Sequence, residues 1–147
     1  MKKVLVDMHR LGKNKFNGLY IYSYYIGEGL IKKNSGNYSL FFYLPKNQKY
    51  IFGKRVQYIL QRSFDKFFHR KALGFDIWHS TTTLSWYLPA DKKTKFIFTL
   101  HDINFLLENP EEVARNKRYL KLIQQRINRA NHIIAISDFA LQQAKQH

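Results

Sequence analysis

Five short apolar runs alternate with segments whose apolar positions recur at helical spacing, and this alternation leaves few architectures open. Val4-Leu5-Val6-Asp7 predicts a buried strand, followed by a polar loop from Arg10 to Gly18. Leu19 to Lys33 predicts a helix with Tyr22, Tyr25, Ile26 and Leu30 as its apolar stripe, ended by Asn34-Ser35-Gly36-Asn37. Gly27 and Gly29 inside it each weaken it by about 1 kcal/mol relative to Ala. Tyr38 to Leu44, stopped by Pro45, predicts a second strand. Between Lys54 and Lys71, Val56, Ile59, Leu60, Phe64, Phe67 and Phe68 form one stripe with Arg55, Arg62, Lys66 and Arg70 off it, which predicts a basic amphipathic helix. Phe75 to His79 and Phe96 to Leu100 predict a third and a fourth strand. Asn109-Pro110-Glu111-Glu112 supplies a cap, a first-turn proline and two acids for a long helix with Val113, Leu120, Ile123, Ile127 and Ala130 as its stripe. Ile133 to Ile136 predicts a fifth strand, and Ser137-Asp138 opens a last helix. The expected fold is α/β: a single domain with a doubly wound, mainly parallel Rossmann-like sheet and helices on both faces.

A chain of 147 residues suits one such domain. Its 45% hydrophobic and 16% aromatic content exceeds what a disordered chain carries. Twenty-five Lys and Arg against 10 Asp and Glu give a formal charge of +15, which admits nucleic acid, anionic lipid and phosphorylated substrates as partners. There is no cysteine and hence no disulfide. The positive start Met1-Lys2-Lys3 leads into an apolar run that Asp7 interrupts at once, unlike a secretion signal, and no charge-free apolar stretch approaches the ~18 residues of a membrane-spanning helix. The expected location is cytoplasmic. The basic amphipathic segment 54–71 adds an expected contact with an anionic membrane surface on its inner face. The last helix lacks a terminator after Ala144-Lys145-Gln146-His147, so further chain is expected beyond it.

In an open parallel sheet, ligands collect beyond the carboxyl ends of the strands. The polar groups expected there are Asp7 and His9, His79 with Ser80 and Thr81, His101 with Asp102, and Ser137. Each has a structural counterpart: Ser137 as a helix cap, Thr81 to Thr83 as a turn, Asp102 as a loop fastener or as the group that orients His101. His101 is the foremost candidate, since an imidazole at a strand-to-loop transition can bond a hydroxyl or a phosphate. Gly12 and Gly18 lie where backbone would approach a phosphate. Gly-x-Gly-x-x-Gly, the Walker loop, His-Glu-x-x-His and Gly-x-Ser-x-Gly are all absent, which disfavours a standard dinucleotide site, a zinc site and a serine hydrolase.

Thr99-Leu100-His101-Asp102, followed by a helix and then Arg129-Ala130-Asn131-His132-Ile133-Ile134-Ala135-Ile136-Ser137-Asp138-Phe139, resembles the N-terminal domain of the retaining glycosyltransferases of the GT-B fold (family 4, group 1). In that family a "T-h-H-D" strand end precedes an "A-D-x-I-I-A-h-S" strand. Asp76-Ile77-Trp78-His79 is similar to its "D-h-h-H" strand, and Asn17-Gly18-Leu19-Tyr20 stands in place of its glycine-rich first loop. Asn131 replaces the usual Asp. The resemblance implies transfer of a sugar from a nucleotide sugar to a saccharide or lipid-linked acceptor, with the anomeric configuration retained and no metal or other cofactor. It implies His101 as the catalytic group, contacting the donor sugar or its phosphate, and Gly18, His79, Asp102 and Ser137 as substrate-binding residues. It also implies a separate donor-binding domain that this chain does not contain, so that the chain alone is inactive.

The alternative is a basic nucleic-acid-binding module or another α/β interaction domain, suggested by the charge and the interleaved aromatics. Against nucleic acid, the basic residues are spread over several helices and no nucleic-acid motif is recognisable.

Overall fold

A computed structural model describes residues 1–12, 15, 17–62, 74–89 and 91–146. Six parallel strands form one sheet: β1 (Lys2–Asp7), β2 (Tyr38–Leu44), β3 (Gln57–Leu60), β4 (Ile77–Ser80), β5 (Lys95–Leu100) and β6 (His132–Ala135), in the order β3-β2-β1-β4-β5-β6. The helices are α1 (Gly18–Lys33), α2 (Phe105–Glu108), α3 (Val113–Arg129) and α4 (Asp138–Gln146). This is the doubly wound, Rossmann-like arrangement, whose order reverses at β1 and β4. The in-register pairs Asp7↔Tyr43, Asp7↔Ser80 and Leu100↔Ala135 align the strand ends along one edge.

The period-two alternation of the central strands divides the core between the two faces. Val4, Val6, Leu40, Phe42 and Leu44 pack with Tyr20 and Phe52 on the α1 side. Leu5, Tyr43, Trp78, Phe96, Phe98 and Leu100 pack with Ile123 of α3 on the other. Gly27 is explained here: a Cβ at that position would lie 2.6 Å from the Phe52 ring, so glycine lets a buried aromatic seat against the helix. The buried positions of α1 are Tyr20, Ser23 and Gly27, and of the predicted stripe it is Leu30 that packs on the core. Tyr25 is 68% exposed and Tyr22 and Ile26 are only partly covered, because the sheet receives the opposite side of the helix.

Two further expectations are corrected. Gln57–Leu60 is a strand, pairing with Phe41–Leu44, where a helix over 54–71 was expected. Ile59 packs on one face of the sheet and Tyr58 and Leu60 on the other, so both faces are apolar and the short run fits a helical stripe equally well. The rest of that expected helix, from residue 63, lies outside the described residues. The long helix begins at Val113, not beside Asn109. Asn109 instead closes the short α2, and its carbonyl accepts from the Asn116 side chain at 2.8 Å, which turns the chain before α3 starts. Val113 is exposed, and the buried face of α3 carries Asn116, Ile123 and Arg126.

The edge strand β6 is largely open, with Ile133 and Ile134 exposed, because it has a neighbour on one side only. Asn131 ties it to β5: its amide donates to the Phe96 carbonyl at 2.8 Å, and its side-chain oxygen accepts from the Phe96 amide at 2.9 Å. No helix among the described residues is long and apolar enough to cross a membrane.

Candidate functional site

β5 runs into the carboxyl edge with Phe98 and Leu100 buried, so His101 is delivered to the rim on a rigid support. The segment 81–83 after β4 holds it there. The His101 amide donates to the Thr83 hydroxyl at 2.8 Å, and its Nε2 lies 2.8 Å from the Thr81 carbonyl oxygen. A carbonyl can only accept, so Nε2 carries the proton and Nδ1 is left as an acceptor. Burial lowers the His101 pKa from its ordinary 6.5, against the opposing effects of the Thr81 bond and the Asp102 charge, so the ring is neutral at pH 7. Of the two readings of Asp102, the loop fastener is observed, since it accepts from the Asn104 amide at 3.1 Å, while Thr81 and not Asp102 orients His101.

Thr81 is itself locked. Its hydroxyl donates to the Asp7 carbonyl at 2.6 Å, so the Ser23 hydroxyl, 3.2 Å away, donates to Thr81. This links α1, β1 and the loop beneath His101 in one buried chain of bonds. The threonines read as a simple turn are the scaffold of the imidazole, which spacing along the sequence does not reveal.

His101 and Asp102 line an open pocket of about 730 Å³ with Asn17, Gly18, Tyr22, Tyr25 and Ile136. The Tyr22 ring stands edge-on to His101, 4.6 Å between centroids at 78°. The pocket opens at the N-terminus of α1, where Asn17 caps the helix by accepting from the Leu19 amide at 2.8 Å. That end of a 16-residue helix carries partial positive charge. Nothing lies within 4 Å of where a Gly18 Cβ would be, so the fold does not demand glycine there. Gly12 differs: a Cβ would lie 2.5 Å from the Pro45 ring, which makes packing the reason for that residue.

Two candidates lie elsewhere. His79 is buried on the α1 face of the sheet, with Nε2 2.9 Å from the Thr99 hydroxyl. Burial lowers its pKa to about 4. The Ser137 hydroxyl accepts from the Ala140 amide at 3.1 Å and so caps α4; its neighbour Ile136 reaches the pocket. Asp7 is also buried, with its carboxylate held by the Ser85 hydroxyl and by the His9 amide at 3.1 Å. Arg126, 2% exposed, donates to the Ser85 and Leu122 carbonyls, and burial pushes its pKa down to about 10 although Asp7 opposes the shift. It remains a cation at neutral pH. The residues that the sequence reading missed in the pocket are Tyr22 and Tyr25, placed there as core. Their signal was a helix more aromatic than one buried face requires.

No group of three or more His, Cys, Asp or Glu suited to a metal occurs among the described residues. Fold and site together define a Rossmann-like α/β domain with its candidate site on the carboxyl edge of the sheet. Residues 34–147 match Glycosyltransferase Family 4, and the chain belongs to that family. This bears out the resemblance to the N-terminal domain of a GT-B glycosyltransferase and makes the function of the glycosyltransferase type. No curated protein and no solved structure matches the chain.

Proposed function

We propose that this chain forms the acceptor-side wall of an enzyme that transfers a sugar from a nucleotide sugar to a saccharide or lipid-linked acceptor, with retention of anomeric configuration. The observation that supports this reading is the neutral His101, fixed by Thr81 and Thr83, on the wall of the pocket at the α1 N-terminus. In this reading Nδ1 of His101 accepts a hydrogen bond from a sugar hydroxyl and holds the ring carbons in place for reaction. The N-terminal end of α1 offers positive potential to a phosphate oxygen, its Leu19, Tyr20 and Ile21 amides being bonded to Asn17. Tyr22 and Tyr25 flank the sugar, and Gly18 leaves room for its approach. By family resemblance the nucleotide is held mainly by a second α/β domain across the cleft, so transfer belongs to the two domains together. The charge of +15 supports recruitment to an anionic membrane surface that carries lipid-linked acceptors.

The test is transfer from a panel of nucleotide sugars by this chain joined to a family donor-binding domain, with the product's anomeric configuration read by NMR. A retained configuration and a turnover that depends on His101 are expected. Inversion, or turnover indifferent to His101, overturns the reading.

A further inference from the structure

A second pocket, of about 360 Å³, opens on the same edge beyond the ends of β1 and β3 and is lined by His9, Arg10, Gln61, Trp86, Tyr87 and Tyr119 among others. A chamber of about 220 Å³ joins it to the main pocket: it shares Arg10 and Leu84 with the former and Leu19, His101 and Asp102 with the latter. Through these shared lining residues the three depressions make one run along the edge.

Its outer end carries unsatisfied donors. Arg10 Nε and Gln61 Nε2 are both buried without a hydrogen-bond partner among the described residues. Arg10 is half-buried, and burial lowers its pKa while Asp7 opposes the shift. The Asp7 carboxylate does not pair with it, being occupied by Ser85 and His9. A partly buried guanidinium whose Nε has no acceptor is destabilising, and so is an orphaned buried amide. Both are relieved by a ligand that brings acceptor oxygens, best a carboxylate or phosphate matching the planar fork of Arg. No carboxylate lines the outer pocket among the described residues, whereas Asp102 and Glu108 line the middle chamber. Arg10 lines both, but an acidic group meets the Asp102 and Glu108 carboxylates only in the middle, which favours the outer end. Beside Arg10, Tyr119 and the half-exposed Trp86 present rings to which the apolar face of a pyranose can pack.

We infer that the outer pocket is a subsite for an acidic saccharide, its pyranose against Trp86 and its carboxylate or phosphate on Arg10 and Gln61. This rests on the acceptor-side reading above and specifies the charge of the acceptor. The experiment is titration of tryptophan fluorescence in the 147-residue chain with D-glucuronate, glucose 6-phosphate, glucose and inorganic phosphate. Trp78 is buried, so Trp86 reports, and Trp86→Phe is expected to abolish the response. One of the two sugar acids, which names the acid, is expected to bind about tenfold or more tighter than glucose and than inorganic phosphate, and Arg10→Gln to remove that preference. Equal affinity for glucose, inorganic phosphate binding as tightly as the sugar acids, or an Arg10→Gln variant that melts like the wild type and keeps the preference overturns the subsite. Should Arg10→Gln fail to fold, Gln61→Leu is expected to weaken the acid severalfold, and unchanged affinity in it overturns the subsite. Transfer to neutral acceptors without acid binding rejects the subsite alone. Acid binding without transfer from any nucleotide sugar rejects the transferase reading alone.

Discussion

The imidazole of His101 is oriented by Thr81, twenty residues earlier in the chain, through an Nε2–H bond of 2.8 Å to its carbonyl oxygen. The adjacent Asp102 turns to the Asn104 amide instead. This bond decides the tautomer, and the tautomer makes Nδ1 an acceptor.

Replacing His101 with Ala in the active two-domain enzyme is expected to lower kcat/KM by about 10²-fold, the scale for losing one well-placed polar group. The lost bond to the buried Thr81 carbonyl is expected to lower stability by about 1–3 kcal/mol, so turnover is read well below the melting transition. A variant that keeps near-normal turnover, or one inactive only through unfolding, would show His101 to be structural.

The pH profile follows from the lowered His101 pKa. Protonation puts a hydrogen on Nδ1 and abolishes its acceptor role, so activity is lost as pH falls. Because burial moves the titration below 6.5, the acidic limb of kcat/KM should be centred below that value. An acidic limb centred at or above 6.5 contradicts the assignment.

His79 makes a separate prediction about stability. Its folded pKa of about 4 lies below the unfolded value of 6.5, so between them the unfolded chain binds the extra proton. Its contribution is complete above pH 6.5 and is lost as pH falls toward 4, by about 3 kcal/mol in all. Urea unfolding at pH 7, 5.5 and 4.5 should show this loss in the wild type and a shallower one in His79→Gln. Equal pH slopes would place the titration elsewhere.

The two loop glycines should separate cleanly. Gly12→Ala drives a methyl group into the Pro45 ring and is expected to destabilise by about 1–3 kcal/mol. Gly18→Ala enters open space at the first position of α1 and should be neutral or stabilising by up to about 1 kcal/mol. Weakened transfer in a fully stable Gly18→Ala variant is the expected mark of ligand approach, and unchanged kinetics would remove Gly18 from the site.

For Ser137, loss of the cap in Ser137→Ala is expected to lower stability by about 1 kcal/mol in denaturant unfolding. A kinetic defect at unchanged stability would instead return Ser137 to the list of ligand contacts.

The sequence by itself determined the strands β1, β2, β4, β5 and β6, the helix α1, and the arrival of His101 at the sheet's edge. Short aromatic and β-branched runs such as Phe96 to Leu100, bounded by polar residues, suit a strand in a sheet covered on both faces. The local pattern could not decide Gln57–Leu60, four residues whose apolar positions fit either period. Pairing with Phe41–Leu44 made them a strand. Nor could it decide which side of α1 meets the sheet. Tyr22 and Tyr25 occupy helical positions as apolar as Tyr20, and the docking of the Tyr20, Ser23 and Gly27 face turned them outward to the pocket. Hydrogen bonds between distant segments are absent from sequence spacing altogether, so tertiary structure alone gave His101 its partner in Thr81, set His79 in the sheet, and left the Arg10 Nε without an acceptor among the described residues.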